Sequence, residues 1–258
     1  MRSFIRNARL LATLNLIESC LGMPVVAKAS TEIEIAGIQH NHPPVGYIFW
    51  YNPNSDYAHE GVIFHELMHI CLHIEGWPIH QFGEGFPKLE AKYGRKTAEQ
   101  ITDKLWDIFS HTEIFQREKL CGFSHFQKQL ANNFIKNNLI PSLSQSCLQW
   151  NRYWDRLKIV PIETLSVIQV LLAPASHHMH AQLKEGLKKS LALAINQQIE
   201  AICRDILKRQ RCFPQSIPVA FEDVANILGL PPKLLALDYL DKRDSDLFCA
   251  VKRIFRED

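Results

Sequence analysis

Gly61-Val62-Ile63-Phe64-His65-Glu66-Leu67-Met68-His69-Ile70-Cys71-Leu72-His73-Ile74 is the stretch around which the rest of the chain reads. It contains H-E-x-x-H. On a helix, residues four apart share one face and stand about one turn, roughly 5.4 Å, above each other. The imidazoles of His65 and His69 can therefore grip one metal ion. Glu66, next to the first of them, points at the open side of that ion and can hold a water there. Ile63, Leu67, Ile70 and Ile74 recur at helical spacing away from the histidines, and Gly76 and Pro78 stop the helix.

Working outward, 258 residues suffice for one large domain or two small ones, and 47% apolar with 22% charged residues is ordinary globular composition. A net charge of +2 gives no bulk attraction for nucleic acid or membranes. No run of 18 apolar residues exists, so no membrane span is expected. Seven scattered cysteines without a C-x-x-C pair suggest reduced thiols and a cytoplasmic setting. Arg2, Arg6 and Arg9 precede an apolar run, and Ala27-Lys28-Ala29 resembles a leader cleavage box. Asn15 and Glu18 interrupt that run, and Leu10, Leu14, Ile17 and Leu21 favour an amphipathic packing helix instead.

Before the motif, alternation predicts a strand over Glu32–Ile38, and Val45–Tyr51 reads as a second, more buried strand. Asn54-Ser55-Asp56 offers the N-cap of the motif helix. This order resembles the zincin metallopeptidases, in which a small sheet backs the H-E-x-x-H helix. The N-P…V-I-x-H-E-L-x-H run is most similar to the short ImmA/IrrE-type zincins, over roughly residues 1 to 125. The resemblance implies an α+β catalytic part, bound Zn2+, and a metallopeptidase that hydrolyses peptide bonds of a peptide or protein substrate with Glu66 as its base. The metzincin pattern fails, because Leu72 and Glu75 stand where it needs Gly and His.

A catalytic zinc takes three protein ligands and keeps one position open. His73 lies about 12 Å along the helix from His65, too far to share an ion with it. By resemblance, the third ligand comes from a helix downstream, here Thr97–Leu120, with Ser110-His111-Thr112-Glu113 as its source. His111 is preferred, one turn after Asp107, whose carboxylate would orient its ring. Glu113 is the alternative, the type that glutamate-ligand zincins use, with Glu84 and Glu90 after it. Tyr93 reads as a loop tyrosine before it reads as an oxyanion donor.

Residues 77–96, rich in breakers, read as a loop beside the cleft. Helices are expected at Ser124–Leu139, Pro161–Leu172, Ala181–Arg211, Val219–Leu228 and Pro232–Leu240, with 141–149 as a linker before Trp150, Tyr153 and Trp154. The domains are read as 1–174, the zincin-like part, and 175–258, a mainly helical C-terminal part. His177, His178 and His180 read as an exposed cluster, and His40 and His42 as loop residues. Residues 222–240 resemble a helix-turn-helix, but Lys233-Leu-Leu-Ala-Leu-Asp-Tyr-Leu lacks the cations that phosphates require, so a packing hairpin is preferred to a nucleic-acid reader. Seven Lys or Arg on 181–211 make a solvated face, less readily a docking surface for a protein partner. Two further functional readings stand behind the peptidase. One is a regulatory or interaction protein on a zincin-like scaffold; the other is a zinc hydrolase of a non-peptide amide.

Overall fold

In the computed structural model the chain is a mixed α+β protein, described at residues 1–41, 46–141, 162–190, 193–241 and 243–256. It divides into two compact units. The first comprises Met1–Ile79, Gln116–Phe126 and Asp238–Asp258; the second comprises His80–Phe115 and Gln127–Leu237.

The first unit opens with helix α1 (Ala8–Leu21). Asn7 caps it, its side-chain oxygen accepting from the N–H groups of Arg9 and Leu10, and Gly22 closes it at φ 69°. Leu10, Leu14 and Ile17 are fully buried, as the amphipathic stripe predicts. Three strands follow: β1 (Val26–Ala29), β2 (Ala36–Asn41) and β3 (Gly46–Tyr51). β3 lies in the middle, parallel to β1 and antiparallel to β2.

Two details depart from the sequence reading. Strand β1 is not among the expected elements; its Ala27, Lys28 and Ala29 pair with Phe49, Trp50 and Tyr51. The first expected strand begins at Ala36 rather than Glu32 and runs on to Asn41, with Ala36 opposite Tyr51 and Asn41 opposite Gly46. Register with β3 sets its limits, where alternation alone cannot. Of the two histidines read as loop residues, His40 is in β2, its ring 5.0 Å from that of Tyr47, and His42 lies outside the described residues.

Helix α2 (Glu60–Ile74) carries the motif and packs on α1 and β2. Its N-cap is His59, not Asn54-Ser55-Asp56: the His59 ring accepts from the Gly61 N–H at 3.0 Å and stacks on Phe126. Apolar side chains are buried on nearly every side of α2, Val62, Phe64, Met68, Cys71 and Leu72 joining the predicted stripe. A helix apolar all round belongs inside a core, and this one holds its polar motif there.

The end of α2 is fastened by ion pairing and by the C-terminal segment. Glu75 accepts from Arg117 at 2.5 Å and from the Phe248 N–H at 2.7 Å, and the Arg117 guanidinium lies 4.3 Å from the centre of the Phe248 ring. Removing one partner of so buried a pair costs about 3–5 kcal/mol, because the other charge is left in low dielectric. Phe248 belongs to the last helix, Leu247–Ile254, which packs on α1 and α2 and which the sequence reading did not foresee.

In the second unit, β4 (Ile79–Phe82) and β5 (Leu235–Asp238) form a two-stranded sheet. Helix α3 (Phe86–Tyr93) follows β4, so residues 77–96 are not the expected loop. Nor is 232–240 a helix, which removes both the helix-turn-helix and the helical packing hairpin. The reason is a close backbone approach. Gly83 and Gly85 donate to the carbonyls of Leu234 and Lys233 at 2.7 and 2.8 Å, and a Cβ on Gly85 would stand 2.1 Å from the Pro232 carbonyl oxygen. The glycines that signal a loop are there to let two chain segments touch.

The remaining helices are α4 (Arg95–Cys121), α5 (Ser124–Phe134, continued by a π turn over Ile135–Leu139), α6 (Ile162–Leu172), α7 (His177–Ser190), α8 (Leu193–Arg209) and α9 (Ile217–Ile227). The C-terminal helix Leu247–Ile254 is thus α10. α4 is one uninterrupted helix whose last turns, from Gln116, belong to the first unit. The single helix expected over Ala181–Arg211 is instead α7 and α8. The Asn196 side chain donates to the Leu187 carbonyl at 3.0 Å, a pair that a straight helix would hold about 13 Å apart. Of the linker read at 141–149, residues 142–149 lie outside the described residues, as do Trp150, Tyr153 and Trp154.

Candidate metal centre

Two helices bring the predicted ligands together. His65 and His69 on α2 and His111 on α4 each offer one ligand atom, and these atoms lie within 4.8 Å of one another. Around a tetrahedral ion with bonds near 2.0–2.1 Å, ligand nitrogens stand roughly 3.4 Å apart, so a small contraction would seat one. The rings of His65 and His69 meet at 77°, centroids 5.1 Å apart, so one turn of helix brings their edges, not their faces, together.

His65 is set up as a ligand. It is 7% exposed, and its Nδ1 lies 2.9 Å from Glu118 Oε1. When that carboxylate accepts from an Nδ1–H, the Nε2 lone pair of His65 is left for a metal. Burial lowers the pKa of His65 below its ordinary value, and the charge of Glu66 acts the other way. The neutral ring that results is the form a metal needs. Glu66 itself is buried beside His65, also 7% exposed, in a setting where a carboxylate keeps little bulk water around it.

The other sequence candidates separate from this group. His73, one turn beyond His69, is 2.8 Å from the Tyr47 hydroxyl and stacks on that ring. Glu113 accepts from Gln210 Nε2 at 3.1 Å. It leaves α4 about 200° around from His111, as two positions on a helix must. Glu84 is exposed and pairs with Lys233 at 2.9 Å, and Tyr93 sits on α3 beneath the Lys92 ammonium. Among the described residues, neither Glu84, Glu90 nor Glu113 joins a metal-holding group. His177 and His178 are exposed in the first turn of α7, and His180 bonds the Val170 carbonyl at 3.1 Å.

The orienting partners were not those expected. Spacing points to Asp107 as the carboxylate behind His111; the structure puts Gln169 of α6 there, its Nε2 3.0 Å from His111 Nδ1. The partner of His65, Glu118, is absent from the sequence candidates. A signal for it existed, since Glu118 follows His111 by seven residues and so returns to the same face of α4 within about 20°.

The donor set fits a divalent transition metal: three imidazoles, one held by a carboxylate, with a further buried carboxylate at the adjacent position. The chain matches no family model, no curated protein and no solved structure. Among the described residues, no helix is long and apolar enough to cross a membrane. The cysteines described, buried Cys71 among them, are free thiols.

Proposed function

We propose that this chain is a zinc-dependent metallopeptidase of the zincin type, with His65, His69 and His111 as ligands and Glu66 as general base. The observation that carries the reading is the meeting of these three histidines around an H-E-x-x-H helix whose glutamate is buried beside the first ligand. That the bond cleaved is a peptide bond rests on the resemblance of the motif stretch to the ImmA/IrrE-type zincins. The substrate is a peptide or protein, and the free, buried thiol of Cys71 suits a reducing, cytoplasmic setting.

When bound, zinc supplies a Lewis acid that lowers the pKa of a water to about 7 and polarises the scissile carbonyl. Glu66 accepts the proton of the attacking water as the new carbon–oxygen bond forms. It then delivers that proton to the amine nitrogen as the carbon–nitrogen bond breaks, so the carboxylate is regenerated. Glu118, accepting at Nδ1, would keep His65 in the tautomer that offers Nε2 to the metal.

The test is a peptide library incubated with the purified chain and read by mass spectrometry of the products. Cleavages that stop with a zinc chelator and return on adding zinc are the expected result. Digestion that ignores the chelator, or no digestion of any library peptide by zinc-loaded protein, would contradict the peptidase reading.

A further inference from the structure

His65 and Glu118, a candidate ligand and the carboxylate behind it, meet at 2.9 Å. The residues just before them, Phe64 on α2 and Arg117 on α4, are both held by the last stretch of the chain. The Phe255 ring stands edge-on to Phe64 and to Phe123, with centroids 5.4 and 5.2 Å away. Phe64 and Phe123 are themselves stacked at 4.3 Å. The Arg117 guanidinium lies 4.3 Å from the centre of the Phe248 ring, and both Arg117 and the Phe248 N–H donate to Glu75 at the end of α2. One residue earlier, the Ile74 carbonyl accepts from the Asp244 N–H at 2.9 Å. Leu247 and Val251 bury the inner side of α10. All of these residues belong to the first unit.

We propose that Phe248 and Phe255 are positioning residues of the metal centre, setting how α2 and the end of α4 face each other and so the contact of Glu118 with His65. Successive helix positions point about 100° apart, so a grip on Phe64 fixes the rotation of α2 about its axis and with it the direction in which His65 leaves. The grip on Arg117 does the same for Glu118. Edge-to-face rings and a cation over a ring have preferred geometries, which resist rotation better than aliphatic packing does. A close-packed interior transmits a shift rather than absorbing it, and a hydrogen bond weakens steeply once its partners turn out of line. The C-terminal helix thus contributes no ligand, yet the readiness of His65 to bind a metal depends on it.

This inference rests on the metal reading, and its test needs no substrate. Zinc affinity of the full chain and its variants would be measured by competition with a chelator of known affinity, alongside thermal unfolding. Phe248→Ala and Phe255→Ala are each expected to bind zinc about 10-fold more weakly, the low end of the cost of losing an orienting partner. Phe255→Leu, which keeps apolar bulk without a flat ring, should fall between Phe255→Ala and the natural chain. Val224→Ala, a truncation of a fully buried residue in α9, should lower the thermal transition and keep the natural affinity. Glu118→Gln should weaken binding by itself. Adding Phe255→Ala to it should then cost no more than about twofold further, because groups that act through one contact are not additive.

Natural affinity in either folded alanine variant would overturn the inference, as would an equal loss in Val224→Ala. A loss from Phe255→Ala that is as large beside Glu118→Gln as in the natural chain would show a merely structural role and overturn it too. If Phe255→Ala does not fold, Phe255→Leu alone and combined with Glu118→Gln decides by the same comparison. A natural chain that takes up no zinc would overturn the metal reading as well, so the two failures are told apart.

Discussion

Glu66→Gln is expected to lower peptide hydrolysis by about 10²–10⁴-fold, the range a positioned general base contributes. Glutamine has the same shape and can still hold a water by hydrogen bond, but it cannot take that water's proton or return it to the leaving amine. Glu66 lies within a buried helix beside His65, so the isosteric change leaves the packing of α2 intact. Bound zinc and the thermal transition should match those of the natural chain, and only turnover should fall. Rates measured at saturating zinc on a peptide taken from the library would check this. A variant that hydrolyses at the natural rate would remove Glu66 from the mechanism. The same variant also separates the peptidase from a regulatory protein on this scaffold, since partner binding has no use for a general base.

The second large effect separates two residues only two positions apart. His111→Ala is expected to be isolated without metal, whereas Glu113→Ala should retain it. Removing His111 leaves two histidines, and its loss should exceed by far the 10–100-fold typical of an orienting residue. Glu113 leaves α4 on a different side and accepts from Gln210, so its removal disturbs that bond and leaves the three histidines in place. Zinc content of the two variants after the same purification provides the check. Zinc kept without His111 and lost without Glu113 would move the centre to a glutamate ligand.

What the sequence makes legible here is what lies within one turn of helix. His65, Glu66 and His69 are fixed by spacing on α2, and the Leu10–Leu14–Ile17 stripe is fixed in the same way on α1. Partners that arrive from far along the chain were beyond that logic. Gln169 meets His111 across 58 positions, and Asp107, chosen for being one turn away, was the nearest acid and not the right group. Glu118 reaches His65 across 53 positions and is hidden in the sequence by its neighbour Arg117, which serves a different pair with Glu75. Leu235–Asp238 shows the other limit. A short apolar run fits a helix or a strand equally well, and only the approach of Gly83 and Gly85 from the far end of the unit decides for the strand.

The account turns on a metal ion at His65, His69 and His111, and the most direct measurement is the metal content of the purified full chain by elemental mass spectrometry. After exposure to zinc and removal of the excess, about one zinc per chain is expected, falling to near zero when His65 and His69 are both replaced by alanine. A natural chain that holds no zinc and takes none up, or a double variant that holds as much as the natural chain, would contradict the account at its root.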